Sequence, residues 1–421
     1  MTDLGRSESF HTLATPLSTT GSTEPSNSMR ARTFASLDAL PSSYRTFLLE
    51  AERDDFFRGL RWFENFSQNA LEPGTQIHVY AVEDDSPTPV PRALLLTRSP
   101  AGQNGSILQR RAIKPRTLAS LTSYQSVTFA PVLRRDESDV DGIMQILFRE
   151  ICTERPYWSL LDLNLLDPAK PTYRAIENAL RHQGMDVHPY VYAESIFERI
   201  ERRSFKEFLK SRSSVVRKTF QRRSRNLERL GQLRFEIVQD PSFTERAIAH
   251  YERVCTRSWK DSEPFPKHAA GLIRASAAAG TLRLGFLFLD DEPIATQLWI
   301  VSAGQAAIYK LHYDENFKKH SVGSVLTARM LEHAIDTDQV DEIHFGVGNA
   351  SYKRDWLHDT RPLSGLIAFN PRTADGLNQL LRYRSEATAR RLWSKLKPVV
   401  QRIRTAEWTS FGRPNAPHDK P

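Results

Sequence analysis

Cysteine is almost missing from this chain of 421 residues: Cys152 and Cys255 are the two it has, far apart in sequence. They leave no disulfide framework and no zinc-type Cys/His spacing, so no metal is expected, and they fit a reducing, cytoplasmic setting. Long apolar runs are missing too. None approaches the ~18 residues needed to span a bilayer, which argues against a transmembrane segment. The opening stretch, MTDLGRSESFHTLATPLSTTGSTEPSNSMRARTF, is rich in Ser and Thr and has no apolar core, unlike a secretory signal. Residues 1–36 are therefore expected to form a disordered tail, and residues 411–421 (GRPNAPHDKP and its preceding Phe) another.

What is present is basic charge on a globular composition. The formal charge of +8 favours polyanionic partners: nucleic acid, anionic lipid or a phosphate-rich cofactor. The length suits two domains plus tails.

Residues 37–200 read as a mixed α/β domain. A helix begins near Pro41, with Leu48, Phe56, Leu60 and Phe63 at helical spacing. QIHVYAVEDD and VPRALLLTRS flank an SPTP turn as a hairpin, and SVTFAPVL is expected as the third strand. Then follow helix DGIMQILFREICTE, strand YWSLLDLNLL, helix PTYRAIENALRHQG and strand DVHPYVYAES. The junction before Gly142 carries the acidic run RRDESDVD, which repels phosphate; this half is expected to be a degenerate or substrate-facing partner.

Residues 201–375 start with a basic helix, SFKEFLKSRSSVVRKTFQRRSRNLERLGQ, docked by Phe205, Phe208, Val216, Phe220 and Leu227. It reads either as a solvated helix or as an anion-binding face for tRNA, membrane headgroups or an acidic glycan. The order after it is strand, two helices, three strands joined by short turns, helix, strand, short helix, strand. Between the third meander strand (AAIYKLHYD) and the helix VGSVLTARMLEHAIDT lies a basic loop leading to Gly323. A helix opening in this way offers unpaired backbone N–H groups to phosphate oxygens. Residues 376–410 are expected to be a basic amphipathic helical tail that packs on the body or touches a membrane surface.

The second half resembles a GNAT-type acyltransferase domain, and more closely the acetyltransferase domain of CelD-like proteins linked to polysaccharide synthesis and the related Fem-type aminoacyl transferases. The residues that carry the likeness are VRKTFQRRSRNLERLG, LRLGFLFLDDEPIATQLWI, YKLHYDENFKKHSVGSVL and HFGVGNASYKRDW. The resemblance implies tandem GNAT-like domains, each a central mostly antiparallel sheet flanked by helices. It also implies acyl transfer from acetyl-CoA or another acyl-CoA to an amine or hydroxyl of a sugar, glycan precursor or small metabolite. By the same likeness Lys319, His320, Ser321, Val322, Gly323, Ser324 and Asn349 are the cofactor-binding candidates. The family pattern there is Gln or Arg, two residues, Gly, one residue, Gly or Ala; this chain has His320, Gly323 and Val325, so the central glycine alone matches.

Tyr352 and Lys353 match the Tyr-Lys pair of the CelD-like and Fem-like pattern. A Tyr hydroxyl can donate to a leaving thiolate, and an ammonium can neutralise an oxyanion. For a general base the candidates are His312 and His344. Strand alternation puts Ile308, Lys310 and His312 on one face, and Tyr309, Leu311 and Tyr313 on the other. Trp299 and Trp356 are expected in the core, an acceptor pocket being their other reading. Two rival functions stay open: a Fem-like transferase using aminoacyl-tRNA, and a non-catalytic GNAT-like scaffold.

Overall fold

The computed structural model describes residues 28–100, 116–123, 125–260, 263–348, 350–386 and 388. Asn349 and most of both expected tails therefore lie outside the described residues.

The first half runs β1 (Met29–Phe34), α1 (Ser42–Asp54), α2 (Leu60–Asn69), β2 (Gln76–Asp84), β3 (Pro91–Ser99), β4 (Thr117–Ser120), β5 (Val132–Leu133), α3 (Val140–Thr153), β6 (Leu160–Leu166), α4 (Pro171–His182) and β7 (Asp186–Arg199). The second half runs α5 (Phe205–Ser211), α6 (Ser214–Glu228), β8 (Leu233–Val238), α7 (Thr244–Thr256), α8 (Pro266–Ala278), β9 (Leu282–Leu289), β10 (Glu292–Ser302), β11 (Gln305–Tyr313), α9 (Val322–Glu332), β12 (Glu342–Val347), α10 (Ser351–Trp356) and β13 (Asp359–Phe369). From β8 onward this is the order read from the sequence.

Both halves share one mixed sheet, in the order β1-β2-β3-β4-β6-β13-β7-β12-β11-β10-β9-β8. The last strand, β13, inserts between two first-half strands, pairing antiparallel with β6 and along its whole length with β7. Its neighbour β7 reaches across in return: Ser195 to Arg199 pair with β12. Two pairs in the sheet are parallel, β4 with β6 and β11 with β12.

Helices cover both faces. On one, α1 and α2 of the first half pack with α7 and α8 of the second, burying Leu48, Trp62, Phe66, Tyr251, Leu272 and Ile273 in one core. Each such side chain contributes ~1.5–3 kcal/mol, so the halves are held as one unit. On the other, α9 covers β9 to β12 through Val322, Val325, Leu326 and Met330 against Trp299 and Phe345. Among the described residues no helix is long and apolar enough to cross a membrane.

Four expectations need correction. Residues 29–34 are not tail but the edge strand β1, held by its register with β2 and by Arg30 on Glu83 at 2.8 Å. The third strand is Thr117–Ser120, not SVTFAPVL, of which Val132 and Leu133 alone pair; Pro131 has no N–H to give a ladder. The basic helix is two helices. Arg212 leaves the helical path (φ −77°, ψ 160°) and Ser213 restarts it by accepting from the Val216 N–H. Lastly, helix 374–386 buries Leu380 but leaves Leu381 exposed, so one of that leucine pair packs.

Candidate active site

Strands β11 and β12 pair over three positions, Gln305↔Glu342, Ala306↔Ile343 and Ala307↔His344, and then part. Two irregularities drive them apart. In β11, Leu298 faces Lys310 while Trp299 faces Ile308, so Tyr309 is an extra, bulged residue. In β12 the register with β7 jumps between His344 and Val347, where Gly346 (φ 63°) and Gly348 (φ 103°) take left-handed backbone that other residues rarely adopt. The result is a wedge open toward Tyr313 and Gly348.

At the wide end, a 3-10 turn from Glu315 to His320 leads into α9. Ser321 sits between them at φ 55°, ψ 38°, and no side chain caps the helix. Its carbonyl accepts from the Ser324 and Val325 amides at 3.0 and 3.1 Å. The amides of Val322 and Gly323 lie between that carbonyl and the first amides bonded to it, so they have no acceptor within the helix and point out of its first turn. Lys318 and Lys319 stand beside them, Lys318 on Glu315 at 2.7 Å.

Gly323 has a packing role of its own. A Cβ there would lie 3.1 Å from Tyr313 Cδ1, and its carbonyl accepts from Thr327 Oγ1 at 2.9 Å and Gln297 Nε2 at 3.3 Å. The glycine lets α9 approach β11. Val325, where the family pattern has a small residue, points into the core and is 1% exposed.

The first half repeats this junction and closes it. Strands β4 and β6 also pair in parallel over three positions before parting. There Asn164 Oδ1 accepts from Thr122 Oγ1 at 2.7 Å and Ser120 Oγ at 3.2 Å, bridging the gap. The following helix, α3, is capped by its own Asp139, which accepts from the Gly142 amide at 2.9 Å. A carboxylate occupies the place a phosphate would take.

Lys353 on α10 is 9% exposed and donates to the Val347 carbonyl at 2.7 Å. Burial, and then the charge of Lys260, lower it to about 8. Tyr352 beside it is half-exposed, its hydroxyl pushed upward by partial burial. Position α10 depends on a buried ion pair. Arg212 forks onto Glu198 of β7 at 2.7 and 2.6 Å and donates to the Trp356 carbonyl at the end of α10.

His312 is 3% exposed with its ring edge-on to Tyr251. Burial, Lys260 and Lys310 bring it down to about 3. The bulge at Tyr309 resets the expected faces: Ile308, Leu311 and Tyr313 pack on the α9 side, and Tyr309 on the α7/α8 side. His344 lies elsewhere. It lines a cavity of about 360 Å³ between the halves with Phe57, Phe129, Lys170, Glu342 and Arg361, and neither Lys353 nor residues 319–324 line it. Burial and Arg361 lower His344 to about 4. Trp299 and Trp356 are core residues, 0% and 4% exposed.

Sequence reading missed the residues that join the halves at β11. Glu263, on the α7–α8 loop, accepts from Lys310 Nζ at 2.6 Å and from Gln125 Nε2 at 2.7 Å. The Tyr309 hydroxyl donates to the Gln125 carbonyl at 2.8 Å and lies 2.8 Å from His268 Nε2, whose Nδ1 is 3.2 Å from Asn65 Nδ2. Lys260 of the same loop donates to the Leu311 carbonyl at 2.6 Å, an edge group that β12 has abandoned.

Residues 214–354 match a family described as an acetyltransferase (GNAT) domain. No curated protein matches the chain. Among solved structures, FemX superposes with a TM-score of 0.54 at 9% identity, covering 83% of this chain and 99% of that one. A tandem GNAT protein from the clavulanic acid biosynthesis pathway gives 0.41 at 10% identity, covering 82% and 99%. The structure of L-PGS from Bacillus licheniformis gives 0.43 at 13% identity, covering 70% and 85%. At these identities the FemX likeness is one of fold.

Proposed function

We propose that this chain, whose residues 214–354 match the acetyltransferase (GNAT) domain family and whose fold is like that of FemX, transfers an acyl group from acyl-CoA to an amine or hydroxyl acceptor. One observation carries this reading. The wedge and uncapped helix of the second half have a counterpart in the first half that is stopped by Asn164 and Asp139, so one of two similar junctions is left free for phosphate. In this reading the turn from Lys319 to Ser324 receives the pyrophosphate of the cofactor, which supplies the activated thioester. Lys353 faces the developing oxyanion, and Tyr352 donates to the departing thiolate. His312 and His344 are neutral at physiological pH and, at about 3 and 4, are weak proton acceptors. The acceptor we favour is a sugar or glycan precursor, as in polysaccharide synthesis.

A second reading has aminoacyl-tRNA as donor. Lys218, Arg222, Arg225 and Arg229 form an exposed basic stripe along α6, which packs beside α9. Thermal unfolding with coenzyme A, acetyl-CoA and tRNA separates the two. A ligand at 100 times its Kd stabilises by ~2.7 kcal/mol. A rise with coenzyme A supports the first reading; a salt-sensitive rise with tRNA alone replaces it with the second; silence from all three leaves a scaffold.

A further inference from the structure

The wedge holds more positive charge than a thioester requires. Lys260 reaches it from the α7–α8 loop and rests on the Leu311 carbonyl of β11; Lys353 reaches it from α10 and rests on the Val347 carbonyl of β12. The two strand edges that part at Ala307 and His344 thus each hold an ammonium. Both lysines are lowered, first by burial and then by like charge, Lys353 by Lys260 and Lys260 by Lys310. Among the described residues, the carboxylate in this group is Glu263, and it is engaged by Lys310 and Gln125. An ammonium has three donors, and one carbonyl satisfies one of them.

A second observation lies next to it on β11. His312 is 3% exposed, within electrostatic reach of Lys260 and Lys310, and neither ring nitrogen has a hydrogen-bond partner among the described residues. Its cross-strand neighbour Thr296, wholly buried, has an unpartnered hydroxyl as well. Unpaired buried polar groups cost stability and are rarely left without an occupant. An oxyanion accepts from all these donors at once.

We propose that the wedge between β11 and β12 binds a small oxyanion, a carboxylate or phosphate carried by the acceptor, between Lys260 and Lys353 and beside His312. It belongs to the acceptor because Lys260 enters from the side of α7 and α8, whereas the donor's phosphates would lie at the start of α9 on the other face. That assignment rests on the acyl-CoA reading; the anion site does not.

The test uses the full chain with its lysines dimethylated by a carbon-13 label, which keeps their charge, and follows them by NMR while malonate or inorganic phosphate is added. Lys260→Arg and Lys353→Arg assign the two signals. The expected result is a saturable, joint shift of Lys260 and Lys353, with the Lys353 titration midpoint rising by about one pKa unit as the anion replaces its repulsion by Lys260. Lys260→Gln should weaken the anion by about tenfold. Tighter malonate marks a carboxylate, and tighter phosphate a phosphate ester. Shifts confined to Lys318 and Lys319, or none that saturate, overturn the proposal, and so does a Lys353 response that saturates at the same anion concentration in Lys260→Gln as in the unaltered chain. Coenzyme A added to the same samples keeps the two claims apart: if it fails to bind while malonate or phosphate does, the donor reading falls and the anion site stands.

Discussion

Arg212→Met should unfasten the helix that carries Lys353. The guanidinium is 2% exposed, donates through both terminal nitrogens to Glu198, bonds the Trp356 carbonyl, meets Ser211 Oγ at 2.9 Å and lies 4.3 Å over the Phe208 ring. Removing one member of a buried pair costs ~3–5 kcal/mol, because the other charge stays buried. Glu198 keeps Arg203 at 3.1 Å and the His358 amide at 3.3 Å, so the loss should fall near the lower end, about 3 kcal/mol. That is a large part of the ~5–15 kcal/mol by which domains are stable. Urea unfolding of Arg212→Met, Glu198→Leu and the double variant measures it. The double variant removes the stranded charge, and its loss should be at least ~1 kcal/mol smaller than the sum of the two. Additive losses, or less than about 1 kcal/mol for Arg212→Met alone, would refute the reasoning.

Lys353 titrates at about 8, so if its ammonium steadies the oxyanion, turnover should fall with a midpoint near that pH. A profile flat to pH 10 would remove it from that role. His312 and His268, 3% and 1% exposed, are lowered from 6.5 to about 3 and about 4. The unfolded chain therefore binds more protons than the fold below pH 6.5, and stability should drop by up to ~1.4 kcal/mol per pH unit for each as pH falls toward 4. Urea midpoints at pH 7, 6 and 5 should decline, and His312→Phe should flatten the slope. Gly323→Glu should damage the fold as well as cofactor binding, since the new side chain is driven onto Tyr313 and Leu311; we expect a loss of at least about 2 kcal/mol from overpacking and a buried carboxylate, read by thermal unfolding without ligand.

The second half was legible because its signals are local. Alternating apolar runs separated by DDEP and AGQ give a meander, and a basic loop before Gly323 gives a helix start. What escaped was set by contacts distant in sequence. Nothing in DTRPLSGLIAF says that it lies between β6 and β7, whose paired residues lie far upstream. The bulge at Tyr309 carries no glycine or proline to mark it, yet it reverses the face of every β11 residue before it relative to those after. His344 was a general-base candidate on the strand before Lys353; it opens onto the cavity between the halves, which Lys353 does not line. Arg212 read as one more charge on a basic helix, and it is the residue that turns inward.

In the reading proposed above, the start of α9, and not its counterpart at α3, is the anion-binding junction. Calorimetric titration of coenzyme A into the full chain and into Ser321→Asp tests it directly. Asp tolerates the left-handed backbone of position 321 and gives α9 the carboxylate that Asp139 gives α3. The unaltered chain should bind saturably, and Ser321→Asp should bind about tenfold more weakly with an unchanged unfolding midpoint. Equal affinity in both, or no binding by the unaltered chain, would contradict it.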